Sequence, residues 1–321
     1  MTVIDTEPLG EPKFLSIVVP CYNEEESVRP FLAKLSEVCA SMKMRFECIF
    51  VDDGSADRTL QVLKELHDEH PSEVRFIELS RNFGKEAALL AGLRSARGNL
   101  VAVMDADLQD PPDLLPSMVK LIDDGYDTVG TRRVNRDGEP PIRSFFAKKF
   151  YKWMNRVSHV RLVDGARDFR LMTRQVVDSV LSLSEYNRFS KGLFSWVGYK
   201  TAYVEFENVE RQYGTTSWSF WNLFKYSIDG FVNFSSFPLQ LSVIAGLIIS
   251  LAAFISVVIV VVRAILMDYD TPGWASLLSV VLFLGGIQML SIGILGEYLG
   301  KLFLETKNRP VYLIRNSSDG K

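Results

Sequence analysis

Residues 14–20 read Phe14-Leu15-Ser16-Ile17-Val18-Val19-Pro20, an almost unbroken apolar run. A strand with one wet face alternates apolar and polar side chains. A run without alternation belongs to a strand covered on both faces, as in parallel sheets. A second apolar strand is expected at 46–51, and further strands at 74–79, 100–104 and 127–130. Between these runs the period changes to that of a helix. Residues 24–42 space Val28, Phe31, Leu32, Leu35 and Val38 along one face, and residues 57–67 turn Leu60, Leu63 and Leu66 inward. A third helix is expected over 85–96, ended by Gly98, and a fourth over 113–122 behind Pro111 and Pro112. Strand and helix in alternation predict an α/β fold, Rossmann-like, with a mostly parallel sheet and helices on both faces.

The composition of the 321 residues is ordinary: 47% hydrophobic, 23% charged, net charge −3. That is enough chain for one large or two modest domains. No segment is basic enough for a nucleic-acid partner. The averages hide an asymmetry. Charge is spread through residues 1–229, whereas between 230 and 296 only Arg263, Asp268 and Asp270 carry it. Residues 230–262 and 271–296 are two uncharged runs. Each exceeds the ~20 residues a helix needs to cross a bilayer, and each is apolar on all faces, unlike a core helix. Lys301, Lys307, Arg309, Arg315 and Lys321 follow the second run, so the positive-inside rule places the tail in the cytoplasm. Two crossings return it to the side of the N-terminal domain. Residues 1–13 are acidic without an apolar core, which does not fit a signal peptide. Trp274 and Tyr298 flank the second run, where interfacial aromatics belong. Gly285, Gly286, Gly293, Gly296 and Gly300 predict close helix packing, including packing between subunits of a homo-oligomer. The expected organisation is a cytosolic domain over 1–215, an interfacial amphipathic helix over 216–235, a two-helix membrane domain over 236–304 and a cytosolic tail over 305–321. Cys21, Cys39 and Cys48, an odd count in apolar surroundings, are expected as buried free thiols.

Ligands of parallel sheets bind beyond the carboxyl ends of the strands. Pro20, Tyr22, Asn23 and Glu24 follow the first strand; Asp52, Asp53, Gly54 and Ser55 the second; Ser80, Arg81 and Asn82 the third; Asp105, Asp107 and Gln109 the fourth. No G-x-G-x-x-G turn and no Walker lysine follow the first strand, which disfavours a dinucleotide or P-loop site. Asp105 and Asp107, with the amide of Gln109, offer only oxygen donors. That set suits Mg²⁺ or Mn²⁺, which take one or two carboxylates and complete their shell with substrate phosphates. A cation there would stabilise charge on a departing nucleoside diphosphate.

Four ordered motifs carry a resemblance. They are Val18-Val19-Pro20-x-Tyr22-Asn23-Glu24, Val51-Asp52-Asp53-Gly54-Ser55-x-Asp57, Arg81-Asn82-x-Gly84-Lys85 and Asp105-x-Asp107-Leu108-Gln109-Asp110-Pro111-Pro112. Together they resemble family 2 glycosyltransferases of the GT-A fold. Within these the chain is most similar to the polyprenyl-phosphate branch, dolichol-phosphate mannose synthases and bactoprenol glucosyltransferases. The resemblance implies an inverting transfer of a hexose, with glucose from UDP-glucose the first expectation, onto undecaprenyl or another polyprenyl phosphate at the cytoplasmic face of a bacterial-type inner membrane. It implies that Pro20, Tyr22, Glu24 and Asp53 line the nucleotide pocket with Lys85 nearby. It assigns Asp105, Asp107 and Gln109 to the metal and diphosphate.

For the acceptor phosphate the resemblance implies Arg132, Arg143 and Arg211; guanidinium suits phosphate because its fork meets two oxygens at once. Spacing alone does not separate Arg132 from Arg133. In Arg211-x-x-Gly214 the lysine that many relatives carry three residues later is replaced by Ser217. Residues 144–156 and 217–228 interleave aromatics with Lys and Arg or place them at helical spacing, as helices lying on a membrane do. Asp168, in Asp168-Phe169-Arg170-Leu171-Met172, occupies the place of an aspartate taken as catalytic. A phosphate monoester with a second pKa near ~6 needs little deprotonation, so Asp168 is expected either as a base or as an orienting group. Two rival readings remain beside this one. A processive polysaccharide synthase usually carries Q-x-x-R-W, which the chain lacks. A non-catalytic nucleotide-sugar sensor would not need the paired aspartates.

Overall fold

The computed structural model describes residues 13–134, 163, 165–206, 237–266 and 273–320. Arg143, Arg211 and Ser217 lie outside these residues, as do the amphipathic segments expected over 144–156 and 217–228. The same holds for the segment 216–235.

The N-terminal half alternates as its periodicity requires. It runs β1 (Phe14–Cys21), α1 (Val28–Ser41), β2 (Arg45–Asp52), α2 (Thr59–Glu69), β3 (Val74–Leu79), α3 (Lys85–Ser95) and β4 (Leu100–Val103). A 3-10 turn (Pro112–Leu114) leads into α4 (Leu115–Asp123), then β5 (Thr128–Arg133), β6 (Ala166–Thr173), α5 (Arg174–Ser182), α6 (Ser190–Trp196) and β7 (Thr201–Phe206). Two long helices follow, α7 (Phe237–Leu266) and α8 (Trp274–Thr306), and the chain closes with β8 (Ile314–Ser317).

One sheet of order β7-β5-β6-β4-β1-β2-β3-β8 collects every strand among the described residues. β4, β1, β2 and β3 are parallel neighbours, as the crossover helices demand. β6 runs antiparallel between β4 and β5, and β8 antiparallel against β3. The sheet is therefore mixed but mostly parallel. Its two faces are both dry. Ile17, Val19 and Phe50 pack among the side chains of α1, α2 and α4; Val18, Ile49 and Val51 pack with those of α3, α5 and α6. Phe31 of α1 meets Phe50 edge-on at 6.2 Å between ring centroids. α3 lies unusually close to β1, because a Cβ on Gly92 would stand 2.2 Å from Val18 Cγ1. Cys21, Cys39 and Cys48 are buried and unbridged.

α7 and α8 have 30 and 33 residues. At ~1.5 Å per residue both are longer than the ~30 Å hydrocarbon core. Among the described residues, none in their most apolar stretches, Phe237–Ser256 and Ser279–Thr306, is buried. At Gly293, Gly296 and Gly300 an added Cβ would meet nothing within 4 Å among the described residues, so packing against them does not require glycine there.

The tail is part of the sheet. Leu313 O accepts from Ser80 N at the carboxyl end of β3, and β8 then runs down the strand so that Ser318 N donates to Phe76 O. Below it Arg75 pairs with Asp319 and, at 2.7 Å, with the buried Glu47. Glu47 in turn accepts from Ser16 Oγ at 2.5 Å and Arg97 N at 2.8 Å, so the buried charge is fully partnered. α8 thus hands the chain to the sheet at the edge where the strands present their carboxyl ends.

Candidate active site

The loop after β2 is shaped by Gly54, whose φ is +69° and whose Cβ, if present, would lie 2.6 Å from both Arg81 C and Asn82 N. Glycine lets this loop touch the loop after β3, and Asp53 locks the pair. Its Oδ1 accepts from Phe83 N at 2.7 Å and its Oδ2 from Gly84 N at 2.8 Å. Burial raises the Asp53 carboxyl above the ordinary aspartate value, and those two N–H groups oppose the rise. After β1 the chain turns at Asn23, with φ +56°. Asn23 accepts from Ala56 N, and Glu24 N donates to Thr59 Oγ1 at 2.8 Å. Tyr22 stands 49% exposed on this rim, an open aromatic face beside Pro20 and Glu24.

Next to this rim lies a cluster of opposite charges. Lys85 opens α3, where a cation opposes the helix dipole. Its Nζ is held 2.7 Å from Asp105 Oδ1 and 2.6 Å from Asp168 Oδ2. Asp105 comes from the end of β4 and Asp168 from β6, antiparallel to it; Arg170 pairs in register with Val103, which brings the start of β6 beside the loop after β4. Lys191, from α6, adds a second ammonium 3.3 Å from Asp168 Oδ1. Burial pushes the Asp168 carboxyl up, but Lys191 and Lys85 outweigh it and hold the group below the ordinary carboxylate range. For Lys85 burial favours the neutral amine, and Asp105 and Asp168 reverse that and raise it above the usual lysine value. Neither group is poised to exchange protons near neutrality.

Leu108, between Asp107 and Gln109, has φ +57°, an uncommon conformation for a branched side chain. Such outliers cluster at functional sites. Asp107 is buried and its Oδ1 accepts from Gln109 N at 3.1 Å. Gln109 Oε1 accepts from Arg167 at 3.1 Å, and Arg167 Nε reaches Asp110 Oδ1 at 3.0 Å. Asp110 is buried, and its Oδ2 has no hydrogen-bond partner among the described residues; burial lifts its carboxyl to about 6, against the pull of Arg167.

Among the described residues no group of three or more His, Cys, Asp or Glu could hold a metal by itself. The loop 105–109 instead offers two carboxylates and an amide, an oxygen-only partial set that a hard cation completes with phosphate oxygens. Those residues fit Mg²⁺ or Mn²⁺ in the presence of a diphosphate. At the end of β5 Arg132 is exposed and pairs with Glu205 at 3.3 Å across β5 and β7, while its backbone faces Ala166 at the start of β6. Arg133 is half-buried beside it.

The family model for glycosyl transferase family 2 matches residues 16–181. A putative glycosyltransferase of Bacillus subtilis, CsbB, is 45% identical over 304 residues, covering 95% of this chain and 92% of that one. The chain belongs to glycosyl transferase family 2. This glycosyltransferase is also 38% identical to a prophage bactoprenol glucosyl transferase homolog of Escherichia coli, over 94% of the one chain and 98% of the other. Among solved structures it is similar to glucosyl-3-phosphoglycerate synthase of Mycobacterium tuberculosis with Mn²⁺, UDP-glucose and phosphoglyceric acid, at 18% identity, TM-score 0.45, and coverage of 67% and 76%.

Of the residues expected at the site, the structure joins Lys85, Asp105 and Asp168 directly, keeps Asp107 and Gln109 on the adjoining loop, and sets Pro20, Tyr22, Glu24 and Asp53 on the neighbouring rim. Sequence reasoning missed Lys191, Arg167 and Asp110. Asp110 lies inside a motif already singled out. Lys191 sits in a seven-residue helix with no local sign of its role.

Proposed function

We propose that the glycosyltransferase moves a hexose, glucose from UDP-glucose first among candidates, onto a polyprenyl phosphate at the cytoplasmic face of a membrane spanned by α7 and α8. The observation that carries this reading is the shared edge. The ammonium–carboxylate cluster lies at the carboxyl ends of β4 and β1, and α8 delivers the chain to Ser80 at the carboxyl end of β3. At most ~3.6 Å per residue, the seven residues from Thr306 to Leu313 keep the end of α8 within about 25 Å of that edge. A lipid phosphate emerging beside α8 would then reach the same edge of the sheet as the cluster. The relatives named for bactoprenol glucosyl transfer support the same acceptor class.

In this reading an oxygen of the acceptor phosphate attacks the anomeric carbon, the bond from that carbon to the nucleoside diphosphate breaks, and the carbon inverts. The acceptor is the nucleophile, so no enzyme nucleophile enters. Asp168, held ionised by two lysines, serves to fix Lys85 and Lys191 rather than to take a proton; the phosphate's second pKa near ~6 leaves little to remove. Lys85 brings positive charge toward the diphosphate, and Arg132 stands on the acceptor side with Arg143 and Arg211 assigned to the same phosphate. Asp105, Asp107 and Gln109 would hold Mg²⁺ or Mn²⁺, which would offset the negative charge that develops on the diphosphate. The acceleration then rests on positioning and preorganised charge. Self-association through the glycine-bearing face of α8 belongs to the same proposal.

The test is incubation of the purified full-length protein in phospholipid nanodiscs with Mg²⁺, undecaprenyl phosphate and a panel of nucleotide sugars, followed by mass spectrometry of the lipid. One lipid-linked hexose is expected, from UDP-glucose first. A panel that yields no lipid-linked sugar overturns the acceptor assignment.

A further inference from the structure

The loop ahead of α6 and the first turn of that helix carry contacts both to α8 and to Asp168. Glu305, the penultimate residue of α8, accepts the backbone N–H of Tyr186 at 2.9 and 3.1 Å on its two oxygens and that of Asn187 at 3.3 Å on Oε1. A few residues on, Glu86 of α3 accepts the N–H of Ser190 at 3.1 and 3.0 Å and also its hydroxyl. Between them Arg188 donates to Leu183 O at 2.7 Å and Val180 O at 3.2 Å. The next residue after Ser190 is Lys191, whose Nζ lies 3.3 Å from Asp168 Oδ1.

A seven-residue helix is too short to be stable on its own turns. Its place is set by what holds its entry. Here that entry is held by charge-assisted bonds from two carboxylates on two other elements. One of them, Glu86, belongs to the catalytic sheet's own helix. The other, Glu305, belongs to the helix that runs into the membrane.

We propose that Glu305 is a positioning residue for glycosyl transfer: through the backbone of residues 186–187 it sets the entry of α6 and so holds Lys191 against Asp168. The seat of α8 in the bilayer is thereby coupled to the ammonium pair of the site, and the site is fully assembled only while α8 is in register with the domain. This rests on the transfer reaction proposed above, and its test includes a readout that needs no turnover.

The experiment is a double-mutant cycle in the full-length protein in nanodiscs, with Glu305→Gln, Lys191→Met and the pair. It reads kcat and both KM values, together with labelling of Lys191 by an amine reagent followed by mass spectrometry. Glu305→Gln is expected to lower kcat about tenfold, leave the KM for the nucleotide sugar unchanged and raise labelling of Lys191. Added to Lys191→Met it is expected to cost nothing more, as for two residues acting as one unit. Multiplying effects, or unchanged labelling, overturns the proposal; a residue that merely stabilises the fold gives that result. Labelling proceeds without product, so a wild-type protein that makes no glycolipid refutes the transfer reading and still tests the tether. Should Glu305→Gln not fold, Glu305→Asp, which keeps the charge on a shorter stem, carries the same labelling test with the same two outcomes.

Discussion

At the scale of single residues, the site is a balance of charge. Asp105 and Asp168 hold one ammonium between them, and Asp107 stands two residues along the strained turn at Leu108. Replacing Asp105 or Asp107 with Asn removes a preorganised charge, and kcat is expected to fall about a hundredfold or more. Donor and acceptor turnover measured under saturating Mg²⁺ checks this, and full activity in a folded variant would contradict the assigned role. Gly54 is tested by stability rather than rate. Gly54→Ala must adopt φ +69° with its methyl 2.6 Å from two backbone atoms of the next loop. A loss of about 2 kcal/mol is expected, read as a lower thermal midpoint, while an unchanged midpoint would show that the two loops separate freely. These residues were partly legible. Asp105, Asp107 and Lys85 lie in motifs beside apolar strands, where a polar residue needs a reason. Lys191 was not, because its meaning arises only when α6 is brought to β6, and nothing within residues 186–196 encodes that approach.

At the scale of elements, β1 to β5 could be read, whereas β6, β7 and β8 could not; β7 lies parallel to β5 without an apolar run to announce it. β1 to β4 are mostly apolar because both faces are covered, and that burial is written in their composition; the charges they do carry, such as Glu47 and Arg75, pair with each other. β6 reads Ala166-Arg167-Asp168-Phe169-Arg170-Leu171-Met172-Thr173, and its three charges break the pattern. They are tolerated because Arg167 pairs with Asp110, Asp168 with two lysines, and Arg170 packs against the Phe194 ring at 4.8 Å. β8 is polar and exposed, so no periodicity announces it; pairing with the open edge of β3 makes it a strand. Its anchor is electrostatic. The Arg75 guanidinium, bonded to Asp319, holds that carboxyl below the ordinary aspartate value of ~3.9. With the folded pKa below the unfolded one, the contribution is present above about pH 4 and is lost as pH falls through the folded value. Asp319→Asn is therefore expected to speed hydrogen exchange of residues 314–318 at neutral pH. The difference from wild type should shrink as the medium is acidified below about pH 4. Equal protection of the two proteins at neutral pH would show that backbone pairing alone holds the tail.

At the scale of the whole molecule, the division into a charged N-terminal part and two apolar helices was plain from charge distribution alone. The link between them was not. A tail read as a separate cytosolic segment closes the sheet, and the last turn of α8 pins the loop ahead of α6. Both are tertiary pairings between residues far apart in sequence, invisible to any local window. Their consequence is an orientation: the edge that gathers Asp105, Asp168 and the two lysines is the edge at which the chain arrives from α8. The central claim, direct attack by a lipid phosphate on a sugar held at that edge, is tested most directly by the anomeric configuration of the product. With an α-linked nucleotide sugar as donor, nuclear magnetic resonance of the purified glycolipid is expected to show a β-linked sugar phosphate. An α-linked product would mean two displacements and an enzyme nucleophile, and would contradict it.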